Sequence, residues 1–528
     1  MEGISKSVKD PAHIELDQLS EERINFKLSL RKKKYNDILA KKRIITSKPE
    51  DSPWTLDLYL SKLNLPSNYK RIFAKDEELV STALKSIKSE EILDVKYGIC
   101  LFKIYILYFL NDENLQFNLN LNFASDLLNL LEKWGDKKEK QIIFNLLYLL
   151  TNYSYLNKNK MISKILLSSK GYKIWDLCFD LQDYEIMSQL VWILNNIIYE
   201  DNESSYNLLK SNFFQKKIFN FYSNPTIISH LNEKDTKNIF YMIIERGITL
   251  FTNLLTANCP STYDMEIKLK LSVPVFSLVT KYSESNSSKI YHSCVYSISS
   301  ALNSESRFND LLDNSNLLND IVNKKFFSNE KIVLLSNRII GEYIANKSKL
   351  PEDFYIKCTN YQMDVFFSAK SGVTINEVYW VLSNVIHDSE RSAEIVCNND
   401  LFIDKILFNY KNAIKYEEIR DISYLFNILV KQVNVNNFIK LINKGLVDIT
   451  LQIAKITFND PKRVREVFEL IEAYLDIGNM VQKSFGKNIF IKEKCDNYGF
   501  LDLLKKYEYS NDENLEIVIE RIIKKYYS

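Results

Sequence analysis

Residues 189–200 read QLVWILNNIIYE, and residues 377–388 read EVYWVLSNVIHD. In each, a Trp is followed four residues later by an Asn, and an acid follows four after that: Trp192, Asn196, Glu200 and Trp380, Asn384, Asp388. Positions i, i+4 and i+8 stack along one face of an α-helix. One helical face therefore carries an indole, a carboxamide and a carboxylate. A single such pair reads as an amphipathic helix with a core Trp; its recurrence asks for more.

Used as a ruler, the pair finds weaker copies in the other long apolar segments: Tyr148/Asn152, Thr249/Asn253, Tyr296/Ser300, Arg338/Glu342 and Ser423/Asn427. The second members follow one another at 44, 57, 47, 42, 42 and 43 residues. Steps of 42–47 residues match armadillo or HEAT repeats, each of two or three helices stacked on the next. The long step predicts a loop insertion near 223–238. One further step each way puts Tyr105 before the series and Ala473, in VFELIEAYLDIGN, after it. The expected fold is all-α: a right-handed armadillo-repeat superhelical solenoid of about nine repeats over 54–494. A capping repeat at 495–528 closes it, and a flexible basic arm and linker, residues 1–53, precede it.

Composition agrees with that reading. Only 11 Gly and 9 Pro interrupt a chain that is 46% hydrophobic, which suits long helices joined by short polar turns. Seven Cys lie far apart with no CxxC pair, which argues for reduced buried thiols in the cytosol or nucleus and against zinc. The apolar run at 99–110, ICLFKIYILYFL, holds Lys103 and is too short to span a bilayer. No secretory signal is visible, and no membrane association is expected. Four scattered His and the lack of HExxH, GxSxG, P-loop or GxGxxG patterns argue against an enzyme. No cofactor is expected. His387, beside Asp388, reads as a solvated helix-end residue.

Charge is unevenly placed. From Lys27 to Lys48 nine bases face one acid, Asp37, a local charge of +8 in a chain whose total is +2. The rest is therefore mildly acidic, which argues against direct nucleic-acid binding. Within the basic stretch, LRKKKYNDILAKKR at 30–43 has a narrow apolar stripe through Leu30, Ile38 and Leu39, with bases nearly everywhere else. By itself this is a solvated arm.

Three stretches together resemble the importin-α family. LRKKKYNDILAKKR is similar to its importin-β-binding segment; the WxxxN helices, YWVLSNVI most closely, are similar to its groove helices; and EKCDNYGFLDLLKKYEYSNDENLEIVIERIIKKYY at 493–527 is similar to its last repeat. With the repeat spacing, the likeness covers nearly the whole chain at low identity.

The resemblance implies a nuclear import adaptor that shuttles between cytoplasm and nucleus. A Lys/Arg-rich localisation signal would lie extended along the inner helices. Asn carboxamides, which both donate and accept, would hold its backbone, and ring slots would take its basic stems, each stack being worth about 0.5–2 kcal/mol. Carried over residue by residue, the larger site comprises Tyr148, Asn152, Trp192, Asn196, Glu200 and Asn253. Glu200 takes the place of a family Asp that pairs the key lysine. The smaller site comprises Trp380, Asn384 and Asn427. The arm residues Arg31, Lys32, Lys33, Lys34, Lys41, Lys42 and Arg43 would bind importin-β and, through LAKKRII, compete with cargo for the larger site. An export receptor with RanGTP completes the implied partners.

Departures from the family pattern limit the site. Thr249 and Ser423 cannot stack, and Arg420 stands where the family tends to have an acid and should repel cationic cargo. The expectation is a weakened larger site and a poor smaller one, with Trp192→Ala damaging cargo binding while leaving the fold intact. Two other classes remain: a non-import armadillo scaffold and, resting on the arm alone, a nucleic-acid binder.

Overall fold

The computed structural model describes residues 77–527 apart from 111–121, 157–159, 200, 230–237, 259–264, 284–287, 314, 325–328, 348–349, 457–460, 486–489 and 508–511. The arm and linker, residues 1–53, with Arg31, Lys32, Lys33, Lys34, Lys41, Lys42 and Arg43, lie outside the described residues. So does Glu200.

Among the described residues every regular element is helical. They form two compact units that divide between Glu305 and Ser306. In the first, five long helices follow one another as a layer: α1 (Ile92–Leu110), α2 (Lys140–Leu156), α3 (Tyr184–Ile198), α4 (Asn238–Thr256) and α5 (Ser288–Ser304). Each packs against the next. Other helices, among them Asn122–Asp136, Ser169–Asp180 and Asn202–Lys210, pack against the layer helices. The second unit repeats the plan with α6 (Glu330–Ala345), α7 (Gly372–Asp388), α8 (Tyr416–Gln432), α9 (Pro461–Phe485) and α10 (Glu513–Tyr526), again each against the next.

The helix starts are written locally. Asp183 Oδ1 accepts from the amides of Glu185 and Ile186 at the head of α3. Asn329, Ser371 and Asp512 cap α6, α7 and α10 in the same way. Each cap satisfies amides that the first turn leaves without a carbonyl, typically worth about 1 kcal/mol.

A layer helix with neighbours on both sides and an outer helix behind it has little surface left for water. Ile193, Leu194, Ile197 and Ile198 on α3, and Val381, Leu382, Val385 and Ile386 on α7, are all buried. Helices apolar almost all round belong in such surroundings. The 18 residues Ile239–Thr256 of α4 are apolar enough, by length and composition, to cross a membrane. They are mostly buried against protein, however, and carry Glu245 and Arg246, as a core helix of the stack can.

The long repeat step is not simply a loop. Part of it is helical, Asn220–Ser223 and Pro225–Ser229, after a π-helical turn at Phe214–Phe219, while 230–237 lie outside the described residues. Tyr222 in this stretch is fully buried, and its hydroxyl donates to the Ile243 carbonyl of α4. Its ring occupies the space where a side chain at position 247 would sit, so that position is Gly247.

Six described cysteines, Cys100, Cys178, Cys294, Cys358, Cys397 and Cys495, are free and buried; Cys259 lies outside the described residues. Burial pushes the thiol of Cys100 up to about 11 and those of Cys178, Cys397 and Cys495 to about 12.

Candidate functional site

Because α2, α3 and α4 are successive members of one layer, Tyr148/Asn152, Trp192/Asn196 and Thr249/Asn253 sit on adjoining helices. The carboxamides do not point idly outward. Asn152 Nδ2 donates to the Tyr148 carbonyl of its own helix at 2.9 Å. Asn196 Nδ2 crosses to the Thr151 carbonyl at 2.9 Å and lies 3.4 Å from Ser154 Oγ. Asn253 Nδ2 donates to Asn195 Oδ1 at 3.0 Å, and Asn195 Nδ2 donates in turn to the Arg246 carbonyl. The donors of Asn196, Asn253 and Asn195 thus tie neighbouring repeats together, while that of Asn152 stays on its own helix. Among the described residues, Asn196 Oδ1 and Asn253 Oδ1 have no hydrogen-bond partner, which leaves half-buried acceptors suited to the N–H groups of an extended peptide.

The rings are further inside than a face of indole and carboxamide suggests. Tyr148 is 6% and Trp192 8% exposed. Each lies under a cation supplied by a flanking helix. Lys103 of α1, 4% exposed, holds its Nζ 4.9 Å from the centre of the Tyr148 ring and donates to Asn145 Oδ1 at 2.5 Å. Arg246 of α4, 6% exposed, places its guanidinium 5.2 Å from the Trp192 ring and donates from Nη1 to Ser188 Oγ at 2.9 Å. Burial pulls Lys103 down to about 8, opposed by the neighbouring Cys100. It pulls Arg246 down to about 10, opposed by Tyr222 and Glu245.

A titration follows for Lys103. Its folded pKa lies below the unfolded value near 10.4, so between about pH 8 and 10.4 the unfolded chain binds more protons and stability rises with pH. Below pH 8 the whole penalty, on the order of a few kcal/mol, is present. Lys103→Met removes the charge, so its stability relative to wild type should be most favourable near pH 7 and decline as pH rises to 10. Urea midpoints at the two pH values measure this; a difference that does not change with pH would show that Lys103 is charged without cost.

In the second unit Trp380 is 3% exposed and its ring lies against the backbone of Gly341 on α6. Arg338, which holds the ring position of its own repeat, donates from Nε to Glu377 Oε1 at 3.1 Å. Glu377 is buried three residues before Trp380. Among the described residues Asn384 Nδ2 and Asn427 Oδ1 are buried with no hydrogen-bond partner, and the Asn384 donor thus differs from the engaged donors of the first unit. Ser423 is buried against Tyr410, their oxygens 2.8 Å apart, and offers no slot.

Arg420 differs from its expected role as a bare repulsive charge. It binds Asp421 Oδ1 at 2.8 Å and stacks 5.5 Å from the Tyr416 ring. Burial alone would lower its pKa, but the Asp421 carboxylate outweighs burial and the net shift is upward. His387 is exposed, 2.9 Å from Asp388 Oδ1, which also accepts, through Oδ2, from the Tyr355 hydroxyl at 3.3 Å. Among the described residues no three His, Cys, Asp or Glu side chains gather as a metal site requires.

Lys103, Arg246 and Glu377 are the residues that reading the repeats missed. The available signal was a charge inside an otherwise apolar stripe: Lys103 within ICLFKIYILYFL, and Arg246 and Glu377 each three residues before a ring position.

With this geometry the chain is similar to known helical-repeat structures. One is an engineered protein from a structural genomics consortium, with a TM-score of 0.61 and 11% identity over 85% of this chain and 98% of that one. Another is a structure concerned with a phosphorylation switch that controls the interaction between cadherin and beta-catenin; the TM-score is 0.51 and the identity 10% over 88% of this chain and 94% of that one. Likeness at such identity shows the fold alone. The fold is an all-helical repeat. No family model matches the chain, and no curated protein matches it in sequence.

Proposed function

We propose that this chain is an armadillo-type nuclear import adaptor that binds Lys/Arg-rich localisation signals along α2, α3 and α4 and engages importin-β through its basic arm. The observation that carries the reading is the row of Asn152, Asn196 and Asn253 on successive layer helices, beside Tyr148 and Trp192. Asn152 itself is 3% exposed, and what the row leaves for an extended peptide is the half-buried Asn196 Oδ1 and Asn253 Oδ1, which can accept from its backbone N–H groups whatever its side chains. The arm sequence at 30–43 and the 42–47-residue step support the same reading.

A second reading has its own observation. Lys103 and Arg246 cover the two rings that cargo would use, which favours a non-import scaffold that kept the repeat frame and binds other protein partners. Importin-β separates the two. The full chain should capture importin-β in a pull-down and release it on adding RanGTP, and Lys32, Lys33 and Lys34 all changed to Glu should abolish capture. Absence of capture by the unmodified chain would leave the scaffold reading standing. In the adaptor reading Lys41, Lys42 and Arg43 also compete for the groove, so changing all three to Ala should raise affinity for a basic peptide several-fold. Unchanged affinity would remove the autoinhibition.

A further inference from the structure

We propose that Lys103 and Arg246 are resident occupants of the ring slots of Tyr148 and Trp192, so that the first unit disfavours a run of basic side chains over an isolated one. This inference rests on the adaptor reading and names the peptide class its groove selects.

The arrangement is symmetrical in function though not in sequence. Lys103 comes from α1, the layer helix before Tyr148, and Arg246 from α4, the layer helix after Trp192. Each lies at stacking distance from its ring, 4.9 and 5.2 Å, where the stem and head of a bound lysine or arginine would otherwise gain from the ring's negative face. Each is tethered by a side-chain acceptor on the ring's own helix, Asn145 Oδ1 or Ser188 Oγ. The tethers fix the cations over the rings.

Neither residue is what packing alone would select. A methionine or leucine would fill the same space without the desolvation that burying a charge incurs. Among the described residues no carboxylate lies within ion-pair distance of Arg246, and Glu245 acts on it only from farther away. A second cation arriving on either ring meets an occupied face and a like charge about 5 Å from the centre of that ring.

The test is fluorescence polarisation with the full chain and two labelled Ser/Gly peptides, one with a single central lysine and one with four consecutive lysines. The arm competes with both peptides alike, so their affinity ratio reports the groove. Wild type should bind the two within about threefold of each other. Arg246→Gln and Lys103→Met should each improve the four-lysine peptide about tenfold and the single-lysine peptide by far less, while Arg246→Lys keeps the charge and follows wild type. Far-UV circular dichroism verifies that each variant is folded, and the two substitutions act on different rings, so either can carry the result alone. A wild type that already prefers the four-lysine peptide more than tenfold, with no response to either substitution, overturns resident occupancy and leaves the adaptor reading in place. Failure of wild type and every variant to bind either peptide overturns both.

Discussion

Gly341→Ala lowers the stability of the second unit by about 2 kcal/mol. A Cβ on Gly341 would stand 1.9 Å from Trp380 Cζ3 and 2.5 Å from Cη2, against a preferred carbon–carbon separation of about 3.5–4.0 Å. The ring is 3% exposed, so it cannot swing away without moving its neighbours. Overpacking of a core costs about 1–3 kcal/mol, and an overlap this deep belongs at the upper end. Alanine's better helix propensity returns about 1 kcal/mol, which sets the net figure. Gly372 on α7 is the control, because a Cβ there meets nothing nearer than Glu418 Oε1 at 3.8 Å; Gly372→Ala should be neutral or slightly stabilising. Urea denaturation compares the three chains. A Gly341→Ala midpoint at or above wild type would mean that Trp380 is not wedged against α6.

Trp192→Ala should have a still larger effect, a loss of about 3–5 kcal/mol. The sequence alone suggested that this ring could be removed without harm to the fold. In the structure it is 8% exposed and supports Arg246. Truncation leaves an indole-sized void and strips a buried guanidinium of a stack worth about 2 kcal/mol when desolvated. Trp192→Phe keeps a ring under the guanidinium and should cost less than half as much. Thermal and urea unfolding of the pair measure both losses; a cost below about 1 kcal/mol for Trp192→Ala would place the indole outside the core. Peptide binding is then best tested in Trp192→Phe, where a lost slot is not confused with a lost fold.

The helical layer was legible in the sequence because one i, i+4 pair recurs at nearly constant spacing, and each long helix of the layer from α2 to α8 carries one copy. Periodicity identifies a face, but it does not say what covers that face. Trp192 and Trp380 were read as rings displayed to a ligand. They are buried because Arg246, 54 residues later, and Gly341, 39 residues earlier, come to lie on them. The Arg338–Glu377 pair is hidden in the same way, 39 residues apart on successive helices. By sequence Arg420 shows only its charge; the structure pairs that charge with Asp421, the next residue. The carboxamides were found in the right places, but that their donors would tie repeat to repeat depends on side-chain directions that spacing does not encode.

The buried cysteines have a consequence for how the stack comes apart. Cys100, Cys178 and Cys294 belong to the first unit and Cys358, Cys397 and Cys495 to the second, at six different levels of the chain. With their thiols enclosed and their ionisation held back by burial, they are poor nucleophiles while the helices stay closed. Modification by a small thiol reagent must wait for the surrounding helices to part, so its rate becomes a clock for local opening. Among the described residues each unit carries three such clocks. If a unit frays one repeat at a time, as a one-dimensional stack permits, its three clocks run at different speeds; if it opens as a whole, they keep the same time.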